Sequence, residues 1–436
     1  MKTKAINKEI LRLAIPSILA NITIPLVGLV DTAVVGHIGN AVAIGGIAIG
    51  SMLFDLLYWN FGFLRVGTSG LTAQAYGRKD EQTQVRLLHQ SVVTALGAAL
   101  IIWLIQYLFL WAVMTIIPCS EEVATIAKRY FYIRIWAAPA TLALMALRGW
   151  LIGMQNTFAT MLIDLTVNIV NIVASVGFAF YTRAGIQGVA WGTLVAQYSG
   201  LLVAISILAH KYKFVWKRLP LNELKHDSRL LFHLNGNLFI RSLCFMVVYI
   251  GFTSVSSSYG DDELAIASII MKLFMLFSFF TDGFAYAAEA MTGRFIGLKN
   301  LTTLKHITLW LILWTVLISI VWSFLHIFWA QDIIYLLTSD SDLALSSMQY
   351  KFWIITMPLL GGMAFLWDGV FIGAADGISV RNAMIEAAVG FVIAYIALFK
   401  VWGINALYLA YSTHLLIRSV SLTIRYFNNS WQKQIR

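Results

Sequence analysis

Apolar runs long enough to cross a membrane recur along almost the whole of this 436-residue chain, with short polar breaks between them. A transmembrane helix needs about 20 predominantly apolar residues. Only 12% of the residues are charged, about half the share in a soluble domain, so water is excluded as the main solvent. We therefore expect an all-α integral membrane protein with about twelve transmembrane helices. The predicted helices cover residues 10–35, 44–75, 87–117, 126–153, 157–181, 186–209, 230–257, 264–296, 304–330, 346–374, 379–400 and 404–427.

The distribution of basic residues indicates membrane topology. The formal net charge is +10, but Lys and Arg are scattered among the apolar runs, which argues against nucleic-acid binding. Basic residues gather in alternate connections, above all 210–229, whereas 261–263 on the opposite side is acidic. By the positive-inside rule the basic connections and both termini are cytoplasmic. We expect a multi-pass protein of a bacterial cytoplasmic membrane, with the run 10–35 retained because it is too long for a signal peptide.

Similar residues that recur about 220 positions apart in the sequence indicate an internal repeat. The segment PATLALMALRGWLIGMQN of the fourth run resembles PLLGGMAFLWDGVFIGAAD of the tenth. The paired glycines are Gly77 and Gly297, Gly149 and Gly369, and Gly153 and Gly373 at an offset of 220, and Gly185 and Gly403 at 218. We predict two parallel six-helix repeats, residues 1–215 and 216–436, related by a pseudo-two-fold axis along the membrane normal, as in some transporters.

Asp31 is the sharpest candidate for a functional charge. It lies about 20 residues into the first run, with no basic residue within a few turns of its own helix. A charge in hydrocarbon costs roughly 2.5 to 3.5 kcal/mol on insertion scales, so it needs a partner or a purpose. Because desolvation favours the neutral form of a carboxyl group, an acid here can take up and release a proton. The alternative is a neutral Asp31 that only forms a packing hydrogen bond with a neighbouring helix.

Polar residues of the fifth run form a second candidate. Asp164, Asn168, Asn171 and Ser175 follow one another at steps of four, three and four residues, which places them on one helix face. Such a face must point into protein or a water-filled cavity, where its oxygens help to hold a cation or orient an acid. The alternative is that these residues only form hydrogen bonds between two packed helices.

Other membrane charges are expected to pair. Asp55 and Arg65 lie ten residues apart, roughly 15 Å along one helix, so each is expected to find its partner on another helix. Asp368 stands out in the second half because it lies mid-run beside a glycine, and it is a candidate for a second site. The charged set of the second half is Arg241, Lys272, Asp282, Glu289, Asp368 and Glu386.

Proline and aromatic residues suggest a hinge and a cavity. Pro16 and Pro25 lie within the first run, where each removes a backbone donor and invites a kink. A bend in the helix that carries Asp31 would couple its protonation to a change of shape. Tyr58 and Trp59 are candidates to line an apolar cavity for an aromatic or cationic ligand.

Motifs for enzymatic chemistry are absent from the sequence. It contains no nucleotide-binding G-x-x-x-x-G-K-[ST] segment, no H-E-x-x-H and no G-x-S-x-G. Cys119 and Cys244 lie far apart and in no metal-ligand pattern. We therefore expect no enzymatic activity and no cofactor.

Four segments taken together resemble the multidrug and toxic compound extrusion (MATE) family, specifically its DinF-like branch. They are LAIPSILANITIPLVGLVDTAVVGHIG, FLRVGTSGLTAQAYGRKD, RGWLIGMQNT and NGNLFIRSL. The resemblance covers essentially the whole chain. It implies two six-helix lobes around a central cavity, and export of organic cations or other xenobiotics from the cytoplasm in exchange for H+ or Na+ by alternating access.

The resemblance also implies residue roles. Asp31 corresponds to the first-helix acid implicated in ion coupling, and Asn171 to a fifth-helix asparagine near it. Some relatives place a second acid four residues after that asparagine, where this chain has Ser175. A Na+ ion at Asp31 would have one fewer anionic ligand, which favours H+, although a hard cation also binds neutral oxygens. Asp368 matches a tenth-helix acid implicated in cation binding in another branch.

Two alternatives to an antiporter stay open. A flippase for lipids or lipid-linked sugars shares the two-lobe plan but needs a strongly basic cavity, whereas Asp31 and the fifth-run face are neutral to acidic. A membrane-embedded enzyme is disfavoured by the missing motifs. The expected partners are a small lipophilic or cationic substrate and the lipid bilayer, without nucleic acid, and we expect a monomer.

The topology is testable by cysteine labelling after removal of the two native cysteines. Ser228→Cys should be shielded from an impermeant thiol reagent on intact cells, because its segment is cytoplasmic, whereas Ser257→Cys should react. Both should react once the cells are permeabilised. Equal labelling of intact cells, or the reversed pattern, would contradict the assigned orientation.

Overall fold

A computed structural model describes residues 3–38, 41–117, 119–182, 184–216, 228–338 and 340–429. Within these ranges the chain forms helices joined by short turns, and no strand. In hydrocarbon every backbone N–H and C=O must be hydrogen-bonded inside the protein, and a helix meets that condition within one segment. The predicted all-α fold is confirmed.

The helices of the described chain fall into two sets. The first set is α1 (Thr3–Ile38), α2 (Ala41–Trp59), α3 (Phe63–Arg78), α4 (Glu81–Ile116), α5 (Glu121–Arg134), α6 (Ala138–Gly153), α7 (Thr157–Tyr181) and α8 (Gln187–Lys211). The second set is α9 (Ser228–Ser257), α10 (Asp261–Gly297), α11 (Leu301–Leu337), α12 (Ser341–Ser347), α13 (Lys351–Gly373), α14 (Gly377–Trp402) and α15 (Asn405–Phe427). Short 3₁₀ turns join α2 to α3, α5 to α6 and α12 to α13, so that each joined pair makes one span.

Eleven spans in the described residues are long and apolar enough to cross a membrane. The twelfth predicted run, 404–427, corresponds to α15. This helix has the length of a span but is less apolar, because it buries polar residues such as His414 and Arg418. The prediction of about twelve membrane helices is confirmed, and α15 shows how a crossing with a polar buried face weakens the hydropathy signal.

Turn geometry confirms the internal repeat. Left-handed backbone is uncommon for residues other than glycine, yet Lys79 and Lys299 have φ 58° and 55°, and Gln155 and Ala375 have φ 60° and 58°. Both pairs are 220 residues apart. The residue after each of the four, an Asp or an Asn, caps the next helix with its side chain. Gly185 and Gly403, 218 apart, have φ 52° and 54°.

Two glycines of the repeat allow close helix packing. A Cβ on Gly149 of α6 would meet the carbonyl oxygen of Arg65 in α3, and one on Gly369 of α13 would meet that of Ala285 in α10. Arg65 and Ala285 are themselves 220 residues apart. Small residues let membrane helices approach to backbone contact, so the matched glycines mark the same helix pair in each half.

Packing divides the chain, as far as it is described, into two compact units. One is Leu19–Leu231, and the other combines Phe232–Arg436 with Met1–Ile18. The boundary therefore falls within α1. The predicted lobes, 1–215 and 216–436, stay a prediction, and they differ from these packing units mainly in the placement of the first turns of α1.

Specific contacts hold the start of α1 in the second of these units. Glu9 forms an ion pair with Arg294 of α10. Trp314 of α11 donates its Nε1 hydrogen to Asn7 Oδ1 over 3.0 Å. A single helix thus contributes to both units, with Asp31 in the part that belongs to Leu19–Leu231.

Candidate ion-coupling site

Asp31 lies in α1 with one carboxyl oxygen in an unusual environment. Its Oδ1 atom is buried and has no hydrogen-bond partner among the described residues. The hydroxyl of Ser175 in α7 lies beside the carboxyl group without a hydrogen bond of normal geometry. Leaving a buried polar atom without a partner is costly. This oxygen can therefore accept a partner that enters and leaves, and the choice between a coupling role and a packing role for Asp31 stays a prediction.

Asn171 and Ser175 lie on the face of α7 that packs against α8. The Asn171 amide donates to Thr193 Oγ1 over 2.9 Å, and that hydroxyl donates to the carbonyl oxygen of Val189. Gly192 allows this approach, since a Cβ there would lie 2.5 Å from the backbone nitrogen of Ser175. Asn171 Oδ1 and Ser175 Oγ are both buried without a hydrogen-bond partner among the described residues. These neutral oxygens can accept a hydrogen bond or coordinate a hard cation.

The other two residues of the predicted polar face have partners elsewhere. Asn168 donates to Thr23 Oγ1 of α1 over 2.5 Å. Asp164 forms a 2.6 Å ion pair with Arg148 of α6. It lies eleven residues from Ser175, about 16 Å along the helix. The face is therefore divided between a pair at one end and unpartnered oxygens at the other, and a coupling role for Asp164 stays a prediction.

Arg134 is a residue that sequence analysis missed. Its guanidinium lies 4.6 Å from the ring centroid of Phe54 and donates to the hydroxyl of Tyr130 over 2.9 Å. It also interacts electrostatically with both Asp31 and Asp55. The sequence held a signal for it, because Arg134 is a charge well inside the fourth predicted run and so needed a partner.

The charges of the second predicted run lie within electrostatic range of charges on other helices. Asp55 interacts with Arg134 of α5. Arg65 lies near Asp164 of α7 and adds to the positive charge of the ion pair there. Arg65 thus serves the pair at one end of α7, and Asp55 belongs with the group around Asp31.

The residues predicted to form a cavity or hinge are placed as follows. Tyr58 has a buried hydroxyl in the neighbourhood of Arg134, and its ring centroid is 5.5 Å from that of Phe54. Trp59 ends α2 and is 38% exposed. Pro16 and Pro25 lie within α1, which runs unbroken through both. Tyr58 thus joins the surroundings of Asp31, while a hinge at Pro16 stays a prediction.

Asp368 of α13 is held between two arginines. Arg241 of α9 and Arg418 of α15 both donate to its Oδ2 atom, the latter over 2.8 Å. Asp368 is 6% exposed and Arg418 is 2% exposed. A carboxylate with two guanidinium partners has its charge fully compensated, so the contacts fit the structural alternative, and an ion site at Asp368 stays a prediction.

The second half lacks a polar counterpart of the Asp31 site. Gly251 follows Asp31, and Phe391 follows Asn171, at the repeat offset of 220. These two counterparts face each other, since a Cβ on Gly251 would lie 3.6 Å from the Phe391 ring. Where the first half has a carboxylate and an amide, the second half has an apolar contact.

A metal centre built from several acidic, histidine or cysteine ligands is not found. In the described ranges no group of three or more such side chains is arranged to hold a metal ion. Asp31 with neutral oxygens is the arrangement that a cation would meet. The predicted preference for H+ over Na+ stays a prediction.

The family follows from this repeat and from comparison with known proteins. The sequence profile of the MatE family matches residues 16–176 and 238–396, once in each half of the chain. The chain therefore belongs to the multidrug and toxic compound extrusion (MATE) family, and it is a membrane transporter and not an enzyme. It is 34% identical over 419 residues to the DNA damage-inducible protein F of Escherichia coli (strain K12), covering 95% of this chain and 91% of that protein. The predicted DinF-like branch is confirmed.

More distantly related proteins support the same family assignment. The chain is 24% identical over 385 residues to the chloroplastic Protein DETOXIFICATION 44 of Arabidopsis thaliana, covering 85% of this chain and 73% of that protein. Its fold is similar to that of a MATE protein crystallised in the bent conformation, with a TM-score of 0.88 at 18% identity, covering 99% of this chain and 97% of that one. Multidrug and toxin extrusion is the activity of the family, so the chain is a multi-pass xenobiotic efflux transporter.

The arginine pair at Asp368 generates a stability prediction. Asp368→Asn should lower the stability of the protein by about 3–5 kcal/mol, because it leaves the buried guanidinium of Arg418 and the half-buried one of Arg241 without their anion. Adding Arg241→Gln should restore part of the loss by removing one of them, and this coupling identifies the pair in a double-mutant cycle. Thermal unfolding in detergent measures both effects. An Asp368→Asn protein of normal stability that fails to export would instead make Asp368 a functional acid.

Proposed function

We propose that this transporter is an antiporter that exports lipophilic organic cations in exchange for H+, with Asp31 as the coupling carboxylate. The observation that carries the proposal is the buried Oδ1 atom of Asp31, which has no hydrogen-bond partner among the described residues. A proton can supply the missing stabilisation by making the carboxyl group neutral. Loss of that proton leaves a charge that a cationic substrate can compensate.

Charge balance around Asp31 supports exchange. Asp31 and Asp55 share one nearby cation, Arg134, and an arginine stays protonated at all relevant pH values. With both carboxyl groups ionised the set has one net negative charge, and either one proton or one monovalent cationic substrate makes it neutral. In a low-dielectric site the electrostatic cost of excess charge is high, so proton and substrate compete. Competition of this kind is what an antiporter needs.

The same balance favours H+ over Na+. A bound Na+ would be coordinated by Asp31 with neutral oxygens such as Ser175 Oγ, and it would lie near the guanidinium of Arg134. Like charges in a low-dielectric surrounding repel each other strongly. A proton instead forms a covalent O–H bond and leaves a neutral carboxyl group, so it tolerates the arginine better.

A lipid flippase is the weaker candidate. An anionic headgroup needs a basic binding surface, but the set formed by Asp31, Asp55 and Arg134 has more acid than base. The single arginine of this set already donates to the Tyr130 hydroxyl and lies within electrostatic range of both carboxyl groups. Attraction of a cation is therefore the simpler use of this site.

Coupling to movement is proposed to run along α1. The helix contains Asp31 in one packing unit, and its first turns lie in the other, held there by Glu9 and Asn7. Protonation changes the interactions that Asp31 makes with α7 and α5. Because α1 is continuous from Asn7 and Glu9 to Asp31, the change is proposed to be transmitted along this helix.

Asp31→Asn tests the proposal directly. The variant keeps the shape of the side chain but cannot titrate, so export of a lipophilic cation such as tetraphenylphosphonium should be lost while thermal stability is nearly unchanged. Transport is measured in proteoliposomes with pH and Na+ gradients imposed separately. The wild-type protein should respond to the pH gradient, and neither protein should be driven by ATP alone.

Asp164→Asn is the matched control. It removes a membrane carboxylate whose partner is Arg148, so it should reduce stability more than it changes the pH dependence of export. Normal export by Asp31→Asn with an unchanged pH dependence would refute the role of Asp31. Export by the wild type that follows only the Na+ gradient would refute H+ as the coupling ion.

Arg134 should set the pH range of substrate binding. In Arg134→Gln the carboxyl groups lose a nearby positive charge and hold protons more firmly, so the midpoint of the pH dependence of binding should move to higher pH. Arg134→Lys should stay close to the wild type because it keeps the charge. Fluorescence titration with a cationic dye across pH measures the midpoint. An unchanged midpoint in Arg134→Gln would show that the guanidinium serves packing alone.

A further inference from the structure

A groove of about 900 Å³ lies within the second half of the chain, between α13 and α15. It is far from Asp31 in sequence, and the proposed antiport does not use it. Its volume is within the range of about 300–1,000 Å³ found for small-molecule sites. Trp353, Thr356, Asn405, Leu409, Ser412 and Leu416 are among its lining residues.

The groove opens at one surface of the membrane. The last residues of α14 and the first residues of α15 line one end of it, and successive crossings place these helix ends on the same side. Trp402 there is 50% exposed and Phe352 is 65% exposed. Aromatic residues gather where hydrocarbon meets headgroups. From Asn405 to Leu416 the groove follows α15 for eleven residues, about 16 Å, which is half of the roughly 30 Å hydrocarbon core.

The lining matches a long apolar and uncharged part of a ligand. None of the described lining residues is charged. At the open end, Trp353 Nε1 donates to Asn405 Oδ1 over 2.9 Å. This bond fixes the amide, so both hydrogens of the Asn405 nitrogen stay free to donate to a ligand carbonyl. At the floor, Ser412 is 3% exposed, and its hydroxyl has no hydrogen-bond partner among the described residues.

The repeat shows that the groove is not a property of the fold alone. At the repeat offsets, the counterparts of three lining residues are much larger: Trp136 for Thr356, Trp191 for Leu409 and Tyr198 for Leu416. Tyr198 donates its hydroxyl to the carbonyl oxygen of Trp136 over 3.0 Å and so joins two of these aromatic residues. The corresponding cavity of the first half, beside Tyr130 and Gln187, has only about 210 Å³.

We infer that the groove is a binding site for one phospholipid of the adjacent leaflet. One acyl chain lies along Leu409 and Leu416, the ester carbonyl accepts from Asn405, and the charged headgroup stays at the surface near Trp402. A cationic substrate fits less well, because no lining residue in the described chain supplies an anion for it. The length of one leaflet, the uncharged lining and the donor at the mouth all point to the lipid.

Photolabelling in vesicles of phosphatidylethanolamine and phosphatidylglycerol tests this site. The probe is phosphatidylethanolamine with a diazirine in its acyl chain, and mass spectrometry maps the labelled peptides. Labelling should concentrate on residues 401–416 of the wild type and fall when unlabelled phospholipid is in excess. Thr356→Trp with Leu416→Tyr gives the groove the side chains of the first half and should reduce this labelling roughly tenfold, a loss of about 1.4 kcal/mol in binding.

Two further variants separate occupancy from folding. Leu317→Trp adds the same bulk to an exposed position of α11, where Leu317 is 49% exposed, and should leave labelling of 401–416 unchanged. Asn405→Leu removes the donor without filling the groove and should weaken labelling by several-fold in a protein with a normal gel-filtration profile. Equal labelling of all exposed helices, or no effect of the filled groove, would overturn the site. Displacement of the probe by tetraphenylphosphonium but not by phospholipid would assign the groove to the transported cation instead.

Discussion

The absence of water from the hydrocarbon core is the constraint on which this structure depends. A buried polar group therefore gains from a partner inside the protein, and several charged residues of the chain have one. Asp368 has two guanidinium partners, Asp164 has Arg148, and Glu9 has Arg294. The Oδ1 atom of Asp31 is among the buried polar atoms that have no hydrogen-bond partner in the described chain, and such atoms call for an explanation, of which a functional role is one.

Acidic residues with an ion-pair partner and acidic residues without one differ in the free energy that their neutralisation costs. Removing one partner of a buried ion pair costs several kcal/mol because a charge is left behind. A carboxyl group without a fixed counter-ion can instead be neutralised by a proton, which enters and leaves from solution. The pairs of Asp164 and Asp368 therefore suit a permanent scaffold, and Asp31 suits a step that must be reversed in every cycle.

The sequence was enough to predict the helices and the repeat, and to single out Asp31 as a candidate site, because each leaves a local signal. Run lengths predict spans, and the glycines at 149 and 369 recur because both must contact a carbonyl oxygen. The sequence contains no local signal that shows which charged residues on different helices lie next to each other. The proximity of Arg134 to Asp31, and the ion pair of Arg241 with Asp368, join helices far apart in the chain, and helical periodicity does not say which helices meet. The division of α1 between two packing units was missed for the same reason.

The contact between Gly251 and Phe391 bears on how this chain evolved. The two halves share turn geometry to within a few degrees at several helix ends, as expected if they descend from one duplicated ancestor. Yet one copy has the polar pair Asp31 and Asn171, and the other has a glycine against an aromatic ring. Duplication here preserved the architecture and let the chemistry diverge. Under the proposed coupling at Asp31, the number of ions moved in each cycle is set by one copy of the repeat, and the other copy is free to serve other contacts.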